Sequence, residues 1–476
     1  MGRIRDWFMN DPQPSNLGKV LIGSSVINSG YDPERTKKII FLLSGSVALM
    51  MTGFGIILPV FARRLGEFGS GVEALGLMTM SFALTHFIAS PFMGTLADRV
   101  GRRPLILISL AAYAVSNIGF ILAPNMEIFI LIRALEGALT AGLFPASLGI
   151  VADIVPENKR AQWIGIVMGS YGAGFIFGPV LGGVLYDGWG FASPFLVSAV
   201  LAFMGLVAAT LMIPETRTSD IRRRERLLSL RDASETTMEK ESILSSIPRP
   251  LTVFGMLLFL DFLQEFGFAF IEPQMVFYFY DDLGWSTIQF GVVIGAYGLS
   301  VVVCQISLGK LSDKYGRKWI IVLGVLISAS FFPCLAFIES FRAIILLAIL
   351  SGLGVAVASP ALSAFYLDIT DKKHRSRIVG IKESALSLGG VIGPALVVVL
   401  AGVLTPGGIF ITAGVITGVG AILAIGLLKE PEKILVKDTD TAWQVSEKRN
   451  LAAQASLHGI VNRASTVRSS RGFRTR

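Results

Sequence analysis

The sequence predicts an all-α membrane protein: twelve transmembrane helices in two six-helix bundles related by a pseudo-twofold axis. Three observations predict it. Of the 476 residues, 53% are hydrophobic and only 16% are charged, against about 25% charged in an ordinary soluble chain. The apolar residues fall in runs of about 20, long enough for a helix to cross a hydrocarbon core of about 30 Å. The second half of the chain repeats the glycine, proline and charge pattern of the first at a nearly constant offset.

The spans are expected near 39–61, 72–97, 104–124, 127–151, 162–186 and 191–213, then 251–280, 287–309, 319–339, 343–366, 378–403 and 406–428. This divides the chain into an N-terminal tail (1–38), a first bundle (39–213), a linker (214–250), a second bundle (251–428) and a C-terminal tail (429–476). The linker is rich in Arg, Ser and Glu, with Arg222, Arg223 and Arg224 consecutive and a short surface helix expected at 220–232. The last tail is basic, with Arg468, Arg471, Arg474 and Arg476, and its composition predicts disorder. A lipid-binding or regulatory tail and a merely solvated one both fit that composition. The apolar stretch Gly18–Ile27 is too short and too polar for a signal peptide. Asp6 stands where the myristoylation pattern wants Ser or Thr.

Lys and Arg sort between alternate loops. All 42 but five fall on the side that holds both tails, the linker and the loops around Arg99, Arg160, Lys314 and Lys373. Arg63, Arg64 and Arg342 face the other side, and Arg133 and Lys382 lie within spans. The positive-inside rule therefore predicts cytoplasmic termini in a multi-pass protein of the cell (plasma or inner) membrane. The net charge of +8 is then topology and attraction to anionic lipid rather than a nucleic-acid footprint. Cys304 and Cys334 both lie in apolar runs, so neither a disulfide framework nor a thiolate metal site is expected. Three histidines without HExxH spacing speak against a zinc hydrolase, and the lack of a GxxxxGK[ST] loop against an ATP-driven pump.

The internal repeat divides the chain in two. At an offset of 215, Gly94, Leu96, Asp98, Gly101 and Arg102 align with Gly309, Leu311, Asp313, Gly316 and Arg317. Gly137, Pro145, Asp153, Arg160 and Gly165 align with Gly352, Pro360, Asp368, Arg375 and Gly380, and Gly174, Gly178 and Pro179 with Gly389, Gly393 and Pro394. At an offset of 214, Gly53 and Pro59 match Gly267 and Pro273. Parallel halves of this kind are a transporter architecture, with the substrate site between them near the bilayer midplane.

The loop Gly94-Thr95-Leu96-Ala97-Asp98-Arg99-Val100-Gly101-Arg102-Arg103 resembles the signature that the major facilitator superfamily carries between its second and third spans. A weaker copy, Gly309-Lys310-Leu311-Ser312-Asp313-Lys314-Tyr315-Gly316-Arg317-Lys318, falls between the eighth and ninth spans. The resemblance implies a cytoplasmic latch that ties the halves together in the outward-facing state. In the fifth span Gly165, Gly174, Gly178, Pro179, Gly182 and Gly183 resemble the signature of that family's proton-coupled antiporters, which implies export. The eleventh span keeps Gly389, Gly393 and Pro394 but lacks the second glycine pair. Arg133 with Gly137 resembles a third family motif whose arginine takes part in proton transfer. Glu136 stands where the family commonly has glutamine, one turn from Arg133, so a free arginine and a structural ion pair both remain open. Gly53-Phe54-Gly55-Ile56-Ile57-Leu58-Pro59 resembles the twelve-span tetracycline and multidrug exporters.

Independently of family, Asp261, Glu265 and Glu272 lie in the otherwise apolar and aromatic seventh span. At about 100° and 1.5 Å per residue they form one stripe, within a sector of about 40° and climbing about 16 Å. An ionised carboxylate in a spanning helix costs a few kcal/mol or more, so such groups face the bundle interior and are functional by default. We read the stripe as binding protons and a cationic substrate, with pairing to Arg133 or Lys382 as the structural alternative. Asp261 is close enough to the end of its span to be interfacial. His86 titrates near neutrality in water but also suits a packing role; Lys382, beside Glu383, can snorkel. Gln289, Gln305, Asn117 and Tyr171 are further candidates to line a cavity.

The expected activity is proton-driven export of lipophilic, cationic or aromatic compounds by alternating access, as in drug resistance: a transporter rather than an enzyme. It would act as a monomer with a small-molecule substrate in the lipid bilayer, with the proton as coupling ion and with no metal, cofactor or nucleic acid. A metabolite symporter or lysolipid transporter of the same fold, and a non-transporting membrane sensor, remain rivals.

Overall fold

The computed structural model describes residues 33–216, 247–308, 311–370 and 375–429. The expected linker helix at 220–232, the tail arginines, Gly309 and Lys373 lie outside them. Among the described residues, twelve helices are long and apolar enough to cross a membrane.

The first span is Pro33–Ile57. It stops short of the expected 61 because Pro59 has no N–H to continue the helix and its ring crowds the preceding turn. The chain resumes as a short helix, Phe61–Glu67, that carries Arg63 and Arg64. The second and third spans are Val72–Val100 and Arg102–Leu122, joined at Gly101. Asn125 caps the fourth span, accepting a hydrogen bond from the Ile128 amide at 3.0 Å. That span comes in two pieces, Met126–Thr140 and Leu143–Ile154. Pro145 cannot donate to the carbonyl of Ala141, which accounts for the interruption. The fifth and sixth are Glu157–Trp189 and Ala192–Met212.

In the second half the seventh span, Leu251–Phe277, runs through Pro273 and ends in a turn of π-helix, Tyr278–Asp282. Thr287–Leu308, Arg317–Leu335, Phe341–Ile369 and Arg375–Leu400 follow. Pro406–Leu427 is the last, capped by Thr405, which accepts from the Gly408 amide at 3.2 Å. We call the side where residues 213–250 connect the halves the linker face, and the other the far face.

The halves repeat each other in packing. The first span packs on the fifth and sixth, the second on the fourth and the third on the sixth; the seventh packs on the eleventh and twelfth, the eighth on the tenth and the ninth on the twelfth. Atomic detail follows the same offset. A Cβ added to Gly137 would sit 2.5 Å from the Phe82 carbonyl oxygen, and one added to Gly352 would sit 2.7 Å from that of Tyr297. Both members of the contact are displaced by the 215 residues of the repeat, so the same bare-backbone approach joins second to fourth and eighth to tenth span.

The halves meet where the fifth span packs on the eighth and the second on the eleventh. Gly183 lies against Ile288, Gly291 against Pro179 and Gly295 against Val180. The contact thins to 3.7 Å between the Cβ position of Gly172 and Val302, while Gly169 and Gly165, nearer the linker face, have nothing within 4 Å. A set of polar contacts closes the far face. The Arg63 guanidinium donates to the Trp285 carbonyl at 2.7 Å and lies 3.9 Å over the Tyr280 ring, whose hydroxyl donates to the Pro59 carbonyl at 2.6 Å. Asp187 accepts the amides of Thr287 and Ile288, at 3.3 and 3.0 Å, at the start of the eighth span. The molecule is clasped at the far face, and the fifth and eighth spans part toward the linker face.

Candidate functional site between the halves

Arg133 and Glu136, one turn apart on the fourth span, form a buried ion pair of 2.9 Å with side-chain exposures of 6% and 0%. Three aromatic rings surround the guanidinium: Phe82 at 4.0 Å, Phe54 at 4.9 Å and Phe61 at 4.9 Å. Such rings present their negative faces to a cation that lacks water. The pair leaves Arg133 Nε and Glu136 Oε1 without hydrogen-bond partners among the described residues. Tyr113 of the third span stands within the field of both charges, and Asn117 spends its amide N–H on the Tyr113 carbonyl at 2.8 Å. Asn117, expected to line a cavity, is instead inside the first half, fully buried. His86 stacks on Phe82 with 5.8 Å between ring centroids and feels the charge of Arg133.

Glu272 enters this neighbourhood from the other half. It is 6% exposed, accepts a long hydrogen bond of 3.4 Å from the Thr79 hydroxyl of the second span, and lies in the field of Arg133. One guanidinium thus pairs with a carboxyl group of its own half and acts electrostatically on one from the other half.

The structure gives the three acids of the seventh span three different settings. Glu265 is exposed, lies beside Gly389 and Gly390 of the eleventh span, and interacts with Tyr171 of the fifth span and Tyr297 of the eighth. Asp261, whose place near the end of its span allows an interfacial position, is instead 2% exposed, near Tyr366 of the tenth span and Lys382 of the eleventh. Asp261 Oδ2 and the Tyr366 hydroxyl have no hydrogen-bond partner among the described residues. Lys382 touches Glu383 at 3.4 Å with its side chain 13% exposed. Gln289 accepts the Ser286 amide at 2.9 Å near the far face, Gln305 is exposed on the eighth span, and Tyr171 packs edge-on to Phe144 at 6.2 Å. Inside the second half, Gln264, Phe268, Tyr297, Ser328, Ser351 and Thr417 are among the residues that line a cavity of about 50 Å³.

Among the described residues, Gly101, Arg102, Arg103, Gly316 and Arg317 of the latch motif make the following contacts. Gly101 has φ of +125°, a conformation that favours glycine, and makes the turn into the third span. Glu215 caps that span, accepting the amides of Arg102 and Arg103 at 3.1 and 3.2 Å. Arg102 pairs with Asp153 at 3.3 Å, and Arg103 donates to the Thr210 carbonyl. In the second half Gly316 repeats the turn with φ of +92°, and Arg317 pairs with Asp368 at 3.0 Å, the Arg102–Asp153 pair moved by the repeat offset. The side chains of Asp98 and Asp313 and the whole of Gly309 lie outside the described residues; Arg99 is exposed and Gly94 has open space at its Cβ position. In the antiporter-type motif, Gly174, Gly178 and Gly182 seat the fifth span on Met51, Gly55 and Ile56 of the first, and Gly183 faces the other half at Ile288. Pro179 packs against Gly291, while Gly165 touches nothing within 4 Å.

Sequence reasoning missed Thr79, Glu215 and the far-face set of Arg63, Asp187, Tyr280 and Trp285. The sequence offers Arg63, beside Arg64, only as evidence of topology.

Two duplicated bundles with buried charges at their joint define a membrane transporter. Sequence comparison agrees: the model of the Major Facilitator Superfamily matches residues 40–260 and 255–455. The chain belongs to that superfamily, whose members are transporters and not enzymes. It is 27% identical over 365 residues to Multidrug resistance protein 2 of Bacillus subtilis, covering 76% of this chain and 89% of that one. It is also 27% identical over 370 residues to the class B tetracycline resistance protein of Escherichia coli, covering 75% and 88%. Among solved structures, a bacterial homolog of the human lysosomal transporter Spinster superposes with a TM-score of 0.68 at 15% identity, covering 84% of this chain and 98% of that one.

Proposed function

We propose that this transporter is a proton-coupled antiporter that exports lipophilic, cationic or aromatic compounds across the cell membrane by alternating access. The observation that carries the reading is Glu272: a carboxyl group from the second half, 6% exposed, resting on Thr79 of the first half beside Arg133. A charge at that joint is costly unless compensated, so a proton or a substrate cation arriving there changes how the halves fit. Glu265, which interacts electrostatically with Tyr171 and Tyr297, supplies acidic and aromatic character suited to a lipophilic cation. The names of the relatives, multidrug and tetracycline resistance proteins, support the substrate class. The segregation of Lys and Arg supports cytoplasmic termini, so the clasped far face is the outer one and the structure stands open to the cytoplasm. The proton is the coupling ion, and the cargo is taken up by a monomer.

One proton is energetically sufficient. A potential of about 100 mV supplies roughly 2.3 kcal/mol and one pH unit about 1.4, which together sustain a substrate gradient of several hundredfold. The test is internal pH recorded in proteoliposomes while lipophilic cations are added. Substrate-linked proton movement in the opposite direction to the substrate is expected, with its loss in Glu272→Gln. Co-directional movement would make the protein a symporter, and unchanged pH dependence in Glu272→Gln would remove this carboxyl from the mechanism.

A further inference from the structure

We propose that Glu136 is a positioning residue that keeps Arg133 away from Glu272, so that Glu272 can exchange protons; the proposal rests on the role of Glu272 in proton coupling. The argument begins with the number of charges. Among the described residues, Arg133 is the one cation that interacts with both Glu136 and Glu272. It spends its direct contact on Glu136, at 2.9 Å within the fourth span, and leaves Glu272 with a hydroxyl partner at 3.4 Å.

The surroundings explain why this choice matters. The titratable groups around the pair are His86 on the second span, Tyr113 on the third and Glu272 on the seventh. The first span and the short helix after it present rings, Phe54 and Phe61, which can hold the guanidinium but cannot neutralise it. Glu136 is therefore the group that cancels Arg133 in the clasped state. With that pair closed, the contact that Glu272 makes among the described residues is the Thr79 hydroxyl at 3.4 Å. Without the Glu136 carboxylate, Arg133 keeps a full charge and has one other carboxyl to turn to. The orphaned Arg133 Nε and Glu136 Oε1 show that neither partner is locked by a complete set of hydrogen bonds.

The test compares pH profiles of substrate transport in proteoliposomes for wild type, Glu136→Gln, the double variant Arg133→Gln/Glu136→Gln, and Glu272→Gln. An opposite charge within about 4–6 Å holds a carboxylate ionised over a further one to three pH units. Glu136→Gln is accordingly expected to move the acid limb of the profile down by about one pH unit or more. The double variant removes the pair as a neutral unit and is expected to bring the limb back to within a few tenths of a unit of wild type. A structural role alone would lower the amount of folded protein without moving the limb. If Glu136→Gln does not reach the membrane, Glu136→Asp, with a shorter reach, is expected to shift the limb the same way by less. An unmoved limb in Glu136→Gln, or in Glu136→Asp where only that variant folds, overturns the proposal, and so does a double variant shifted as far as the single one. If Glu272→Gln keeps the full wild-type pH dependence, the coupling role of Glu272 fails; if Glu272→Gln loses it and Glu136→Gln moves nothing, only the present proposal fails.

Discussion

Arg63→Ala should tilt the balance between the two ends of the molecule. Arg63 makes two contacts with the opposite half, the 2.7 Å hydrogen bond to the Trp285 carbonyl and the 3.9 Å approach to the Tyr280 ring. A hydrogen bond from a charged donor contributes about 1.5–3 kcal/mol and a half-exposed cation–ring contact about 0.5–1. Arg63 is only half-buried, so the lower part of each range applies, and the loss is about 2–3 kcal/mol. At 1.4 kcal/mol per factor of ten, that is a shift of about 30- to 150-fold in the ratio of far-face-closed to far-face-open molecules. The contacts join the halves, so they are lost when the far face opens, and their removal favours the state closed at the linker face.

Electron–electron double resonance can read that ratio from spin labels at Thr95 and Ser307, exposed sites near the linker ends of the second and eighth spans. Cys304 and Cys334 are free and would be replaced by Ser and Ala first. In the parent the long distance should dominate; in Arg63→Ala a shorter population should appear and grow to the majority if the parent ratio is below about thirty. A distance distribution identical to the parent's, in protein that still elutes as a folded species, would refute the assignment of this contact set as the clasp.

Three further outcomes follow from the same geometry. Asp187→Asn keeps the shape of the cap on the eighth span but removes its charge from the helix N-terminus; Asp187 is exposed, so about 0.5–1 kcal/mol is at stake, and the same labels should report a shift of about two- to fivefold. Gly137→Val and Gly352→Val should each lower the thermal midpoint of the purified protein by a similar amount, since each drives a side chain into a facing carbonyl; overpacking of this kind costs about 1–3 kcal/mol or more. Unequal effects would show that the repeat is not mechanically equivalent in the two halves. The Glu272→Gln transport measurement completes the set, with loss of proton movement expected.

Much of this fold was legible because membrane crossing is a strong constraint on sequence. Span lengths and the loop charges emerged from composition, and the repeat announced the packing: Gly137 and Gly352, Arg102–Asp153 and Arg317–Asp368 were aligned before any contact was known. The interruptions were less legible. Pro59 and Pro145 act on carbonyls four residues earlier, and whether a proline ends a helix, breaks it, or is absorbed, as at Pro273, depends on what packs around it. The Arg133–Glu136 pair could be anticipated because its spacing is local. The Thr79–Glu272 contact could not, since 193 residues separate its partners. The far-face clasp was invisible for another reason: its acceptors are backbone carbonyls at Trp285 and Pro59 and its donors backbone amides at Thr287 and Ile288, groups that every residue carries. The acids of the seventh span share one stripe, yet the periodicity of a single helix says nothing of which neighbours stand opposite each of them. Asp261 and Glu265, one turn apart, consequently differ from near-complete burial to exposure.

The seventh span also links the proposed proton site to the clasp. Tyr280 lies eight residues beyond Glu272, about 12 Å along a helix, and the two make their cross-half contacts to Pro59 and Thr79 on the same side of the joint. Between them lies Pro273, and Tyr280 itself sits in the turn of π-helix at Tyr278–Asp282, where the regular hydrogen bonding of the span is interrupted. A helix anchored at both points cannot release Thr79 without loading the contact at Pro59, unless the irregular segment absorbs the movement. On the proposed mechanism, protonation at Glu272 and opening at the far face would then both bias this one segment, which is the physical requirement for coupling. Combining Glu272→Gln with Arg63→Ala tests it: if the segment transmits the movement, the two shifts in the label distances should depart from additivity by more than about 0.5 kcal/mol, and strict additivity would assign the segment the role of a decoupling hinge.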